Sequence, residues 1–232
     1  MFAKKIGTVV FGIVLLFSIA MHAASATIAG SKQMAGRPLV IAVSETRNLI
    51  ETLTKGHEKV MAGYDTFAQH LVEASQAGNI ARFGGGVEDI LKAVQFAAKK
   101  HATQTRKDAA MTPYIIHPIG VADNILSIGK VYDANILIGA LLHDTVEDTA
   151  TSFAELEEHF GKKITALVRE VTDDKALGKE ERKRLQIEHA KHTSAEAAMI
   201  KLSDKLYNLI DLTANAPADW PAERVAAYFT WS

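Results

Sequence analysis

His143 and Asp144 stand side by side at the end of an apolar run, Ala140-Leu141-Leu142, and Glu147 and Asp148 follow them at i+4. On a helix that spacing places the later carboxylates on the face of the earlier pair. Four ionisable groups converging where a buried segment ends are costly unless a cation or a substrate neutralises them. A neighbouring His and Asp can bind one metal ion together, so these residue types point to metal-assisted hydrolysis. Two more residues extend the ligand set. His117 precedes Pro118, which biases its backbone away from the α region and sets its imidazole at a helix entrance. Asp204 lies in an apolar-flanked helical stretch, where a lone buried carboxylate needs a partner. Together His117, His143, Asp144 and Asp204 make a set of two imidazoles and two carboxylates with room for water and substrate. Such mixed ligands suit manganese, iron, cobalt or zinc better than magnesium or calcium. Singly each residue has an ordinary structural reading, as a helix-end His or a capped Asp. The set carries the metal reading.

The elements that must position these groups read as helices. Residues 44–77 carry apolar side chains at roughly helical intervals, interrupted at Gly56 and Gly63, so one helix or two are both compatible with the pattern. Gly84-Gly85-Gly86 is the clearest break and the expected domain boundary, because three adjacent glycines are too costly inside a helix. Beyond it, helices are expected over 88–101, from Pro118 to about residue 128, and from an Asp133 cap into His143. Ser152 and Glu155 form a capping-box pattern, with Gly161 expected to end that helix. Further helices are expected over 162–171, 179–192, 196–214 and 222–231. No segment after residue 87 alternates with period two, so the fold class is all-α: a helical bundle over 87–232 preceded by a linker and helical extension over 27–86. His57 and His70 read as solvated surface residues. His101, His159, His189 and His192 read as ordinary surface or structural residues.

The chain as a whole sets further bounds. It has 232 residues and no cysteine, which removes zinc ribbons, thiol nucleophiles and disulfide frameworks. A formal net charge of −1 supplies no global field for nucleic acid. Lys4 and Lys5, an apolar run over 6–20 and the small residues Ala24-Ser25-Ala26 read as a signal peptide over 1–26, cleaved after Ala26. The expectation is therefore export to a periplasmic or extracellular space, with no membrane span after cleavage. An uncleaved N-terminal membrane anchor is the rival.

Several stretches together resemble a known family. They are Thr112-Pro113-Tyr114-Ile115-Ile116-His117-Pro118, the run from Leu141 through His143, Asp144, Glu147 and Asp148 to Thr149, Val171-Thr172-Asp173-Asp174-Lys175, and the run from Lys201 through Asp204 to Asn208. In order and spacing they resemble the HD-domain hydrolases of the Rel/SpoT type, in particular the stand-alone small alarmone hydrolases of the metazoan SpoT-homologue type. The likeness covers the chain from about residue 87 onward. It implies a manganese-dependent guanosine 3′,5′-bis(diphosphate) 3′-pyrophosphohydrolase, one ion held by His117, His143, Asp144 and Asp204, and Glu147 and Asp148 as the catalytic acidic pair. It further implies that Arg106 and Lys107 lie against the guanine base and nearby phosphates, and that Lys179, Asn208 and Tyr228 surround the nucleotide. Lys179 also fits a solvated face of mixed charge. Relatives of this type continue past the position of Tyr228, so the last helix is expected to lack a packing partner and no synthetase domain is expected after it. The alternatives are a phosphatase acting on another nucleotide, such as NADPH, and an exported nucleotide-binding module without turnover.

Overall fold

The computed structural model describes residues 39–80, 86–217 and 219–232, and among these every regular element is helical. The expected all-α class is the observed one. The leader over 1–26, the linker over 27–37, and Gly84 and Gly85 of the expected boundary lie outside the described residues.

Two helices, α1 (Leu39–Thr54) and α2 (Glu58–Gln76), form a hairpin. The turn between them falls at Lys55 and Gly56, which have φ of 52° and 68°. Gly63 passes through α2 without interrupting it, so only one of the two glycines divides the segment. The hairpin is not a solvated appendage. Thr46, Ile50 and Thr54 of α1, and Val60, Tyr64, Phe67 and Leu71 of α2, are buried. The Tyr64 hydroxyl donates to the Val43 carbonyl at 2.8 Å, and Gln95 of α3 (Val87–Lys100) donates to Thr46 Oγ1 at 2.7 Å. His70, expected in solvent, instead pairs its Nδ1 with Asp123 Oδ1 at 2.7 Å, bracing α2 against α4 (Ile116–Asp123). His57 is half-buried at the start of α2. His101 is buried at the end of α3, in keeping with a structural role.

Helix α4 begins two residues before Pro118, so His117 is helical rather than extended. The proline is accommodated because it stands in the first turn, where an amide has no intrahelical acceptor. After Asp123 the helix widens into a π turn, Asn124–Ile128, where the sequence pattern reads as uninterrupted α-helix. The pattern misleads because Ile125 and Leu126 are buried either way. Helix α5 (Ala134–Leu142) is the centre of the bundle. Asp133 accepts from the Asn135 amide at 2.7 Å, the cap the sequence predicts, and all nine helical residues are buried. Around α5 pack α3, α4, α7 (Phe153–Val171) and α9 (Ala195–Asn215). Its C-terminal end leads through His143 and Asp144 into the single turn α6 (Thr145–Asp148). Ser152 caps α7 by accepting from the Glu155 amide at 3.1 Å. Gly161, with φ 79° and ψ 171°, ends the first helical segment of α7 as expected, and a second segment continues directly beyond the kink to Val171.

Two of the last three elements are thinly anchored. Helix α8 (Lys179–His189) buries no residue, and α10 (Ala222–Trp231) buries only Val225. Polar contacts hold α8: Lys205 donates to Gln186 at 3.1 Å, Gln186 bonds Asp173, and Arg182 lies 3.6 Å from Glu147.

One glycine sets how closely α9 approaches α4. A Cβ on Gly120 would stand 2.0 Å from Tyr207 Cε2 and 2.5 Å from Cδ2. Gly→Ala in an unhindered helix interior stabilises by up to about 1 kcal/mol. Gly120→Ala is expected to do the reverse, destabilising by roughly 1–3 kcal/mol through overpacking. A denaturant titration reads the sign, and a gain in stability would contradict the close approach.

Candidate active site

Three local devices deliver the four candidate ligands. His117 comes from the first turn of α4, His143 and Asp144 from the bend between α5 and α6, and Asp204 from the middle of α9. His117 and His143 are buried. Their Nε2 atoms face the two carboxylates: His117 Nε2 lies 3.4 Å from Asp144 Oδ2 and 3.2 Å from Asp204 Oδ1, and His143 Nε2 lies 3.1 and 3.9 Å from the same two oxygens. An ion about 2.0–2.2 Å from each donor implies donor–donor edges of roughly 3–3.5 Å. His117, His143 and Asp204 each offer a ligand atom within 4.8 Å of the others, and Asp144 borders that trio.

The protonation pattern also fits a cation. His143 Nδ1 lies 2.7 Å from the Ala140 carbonyl, which holds a proton on Nδ1 and makes Nε2, turned toward the carboxylates, the atom that would give up its proton to a cation. That buried Nε2 has no hydrogen-bond partner. Burial pushes the His143 pKa down, but Asp144 and Asp204 outweigh it and lift the value to about 9. Asp144 is held well below the ordinary carboxylate range, because His143 and His117 overcome the effect of burial, and Asp204 is lowered in the same way. The cluster is built to enclose positive charge. Two further bonds fix the carboxylates: the Tyr114 hydroxyl donates to Asp144 Oδ2 at 2.6 Å, and Asn208 Nδ2 donates to Asp204 Oδ1 at 2.7 Å.

Glu147 and Asp148 share a cavity of about 240 Å³ with this cluster. Burial, reinforced by the charges of Asp144, Asp173 and Asp148, lifts the Glu147 pKa above its ordinary value, although the Asp173 amide donates to Glu147 Oε2 at 3.2 Å and pulls the other way. Asp148 pairs with Lys175, and its carbonyl accepts from Gln104 at 2.6 Å. The same cavity is lined by Arg182, Lys201 and Lys205. Burial pushes the Lys205 pKa down. Sequence reasoning missed these three cations. Lys201 and Lys205 flank Asp204 at −3 and +1, and that spacing was the available signal.

Two further cavities adjoin the first. One, of about 460 Å³, is lined by Lys107, Lys179, Arg182, Lys183, Arg224 and the aromatic residues Trp220, Tyr228 and Trp231. The other, of about 310 Å³, is lined by Arg106, Lys107, Asn208, Asp211 and Tyr228 among others. All five residues expected around a nucleotide therefore face these two spaces. Arg106 is not free there: its Nη2 donates to Asp211 Oδ2 at 2.9 Å and to Asn208 Oδ1 at 3.0 Å, and its guanidinium lies 5.7 and 5.8 Å from the rings of Tyr114 and Tyr207. Basic, aromatic-walled spaces beside a metal-type cluster suit a ligand with a flat ring and several phosphates.

Residues 93–228 match the HD domain family. The chain is 55% identical over 143 residues to guanosine-3′,5′-bis(diphosphate) 3′-pyrophosphohydrolase MESH1 of Xenopus tropicalis, covering 62% of this chain and 80% of that protein. It is 52% identical over 149 residues to the Homo sapiens protein of the same name, covering 64% and 83%. A solved structure described as a metazoan ortholog of SpoT that hydrolyses ppGpp superposes with a TM-score of 0.61 at 48% identity, covering 65% of this chain and 84% of that one. These relatives correct the expectation of export to a periplasmic or extracellular space, or of N-terminal anchoring: the likeness is to MESH1 hydrolases and lends export no support. Among the described residues no helix is long and apolar enough to cross a membrane.

Proposed function

Because this chain belongs to the HD domain family, we propose that it is a manganese-dependent guanosine 3′,5′-bis(diphosphate) 3′-pyrophosphohydrolase, converting the tetra- and pentaphosphate to GDP and GTP with release of pyrophosphate. One juxtaposition carries this reading. A buried imidazole–carboxylate cluster, a carboxylate of raised pKa and three cations share a single cavity. The names of the relatives supply the substrate class. Manganese suits the mixed nitrogen and oxygen donors.

In this reading His117, His143, Asp144 and Asp204 hold the ion. When bound, it lowers the pKa of water and polarises a phosphoryl oxygen. Glu147 receives the proton of the attacking water. The new oxygen–phosphorus bond forms as the bond from that phosphorus to the ribose 3′ oxygen breaks, and the 3′ oxygen leaves as a hydroxyl, a proton reaching it from solvent while Glu147 returns the one it took. Asp148, tied to Lys175, completes the acidic pair. Arg182, Lys201 and Lys205 meet the departing pyrophosphate through charge-assisted hydrogen bonds. Arg106 and Lys107 take the base and nearby phosphates, and Lys179, Asn208 and Tyr228 enclose the rest of the nucleotide.

Product analysis tests the assignment. With manganese present, guanosine tetraphosphate is expected to yield equal amounts of pyrophosphate and GDP. Orthophosphate from NADPH, with no pyrophosphate from the tetraphosphate, would replace the substrate and keep the metal chemistry. No turnover of either would overturn the hydrolase reading.

A further inference from the structure

Lys59 stands at the start of α2, outside residues 93–228 that match the HD domain family. Its Nζ lies 3.7 Å from Asp108 Oδ2 and 3.7 Å from Asp211 Oδ1. Both carboxylates are shielded from solvent, with side chains 7% and 14% exposed. Asp108 closes the loop that precedes α4, accepting from the Thr112 amide at 2.8 Å and from its hydroxyl at 2.6 Å. Arg106 donates its own amide to the Thr112 carbonyl at 2.7 Å, so the Asp108 loop and Arg106 move together. Asp211 grips the Arg106 guanidinium at 2.9 Å, and the same guanidinium holds Asn208, which in turn holds Asp204. Two shielded carboxylates converging on one lysine are mutually repelled when it is removed, and Arg106, which acts on Asp108 and is paired with Asp211, is drawn to both.

We propose that Lys59 is a positioning residue for nucleotide binding: as the cation shared by Asp108 and Asp211, it fixes Arg106 against the base-side cavity, and it makes the N-terminal hairpin part of the substrate site. This rests on the pyrophosphohydrolase reading, with Arg106 on the nucleotide. Lys59 touches neither the metal-type cluster nor Glu147, so its contribution is to binding that is equal in the ground and transition states. Loss of such binding raises KM and leaves kcat alone.

The test uses the full chain with manganese and guanosine tetraphosphate. Lys59→Met keeps the aliphatic stem and removes the charge, and it is expected to raise KM roughly three- to five-fold at low salt with kcat unchanged. Lys59→Arg is expected to restore KM, since it returns the cation. Lys55→Met, in the exposed turn of the same hairpin, controls for a general loss of positive charge and is expected to behave as the unmodified protein. An unaltered KM in Lys59→Met, a fall in kcat of the same size, or failure of Lys59→Arg to restore affinity would each overturn the positioning role. Failure of the unmodified chain to release pyrophosphate is a separate result, which overturns the functional reading and this role with it.

Discussion

Asp144→Ala, offered manganese and then desalted, is expected to retain no stoichiometric ion and to lose at least a hundredfold of its pyrophosphate release, since substitutions of mere supporting groups around metal ligands already cost about 10–100-fold. The expectation follows from where the Asp144 charge sits. Its Oδ2 lies 3.1 Å from His143 Nε2 and 3.4 Å from His117 Nε2, and it accepts the Tyr114 hydroxyl. Removing it takes away one donor and half of the negative charge that makes the cluster attractive to a cation. It also removes the largest of the contributions that raise the His143 pKa against burial, leaving those of Asp204 and the Ala140 carbonyl. Metal content by atomic spectroscopy, beside a far-ultraviolet spectrum showing intact helix, separates loss of the ion from loss of the fold. A variant that keeps both its ion and its rate would remove Asp144 from the site.

Glu147→Gln is expected to divide what Asp144→Ala loses together: the ion is retained, KM changes little, and kcat falls by about 10²–10⁴, the usual worth of a positioned general base. Glutamine has the shape of glutamate, and its amide oxygen can still accept from the Asp173 amide, now 3.2 Å from Glu147 Oε2. The environment stays in place and only the proton acceptor is missing. Arg182, 3.6 Å from Glu147, loses a charge partner and remains available to an anion. Metal content and single-turnover rates are the two readouts. A rate within a few-fold of the unmodified protein would move the base function to another group, and loss of the ion would make Glu147 a ligand.

Legibility in the sequence followed distance along the chain. Asp133 and Ser152 announced their caps because a cap is a local event spanning two or three residues. His143, Asp144, Glu147 and Asp148 were readable as a convergent group because one bend carries all four. Gly161 was readable as the end of one helical segment and the start of the next, because a positive φ at a helix end favours glycine. The π turn after Asp123 left no signature, since its buried apolar residues satisfy an α-helical pattern equally well. The contacts that tie elements together were invisible. Arg106 meets Asp211 across a separation of 105 residues, and His70 meets Asp123 across 53. Neither residue type nor spacing marks such pairs, so His70 read as solvated and Lys59 drew no attention at all. The run from Lys179 to Arg184 read as either a solvated face or a nucleotide contact. It has both properties, since α8 buries nothing and still lines two cavities.

That double character of α8 sets a relation between order and occupancy. With no fully buried residue and, of its apolar side chains, only Leu185 half-buried, lifting this helix costs little beyond its polar contacts, so its opening free energy lies far below that of α5. An anion that bridges Arg182 and Lys179 to the groups beneath them binds the closed arrangement alone, and it must tighten the helix by the same factor by which the closed helix tightens the anion. Amide exchange along α8 therefore behaves as a built-in gauge of ligand occupancy, slowing as the cavities fill while the core amides of α5 stay as they were.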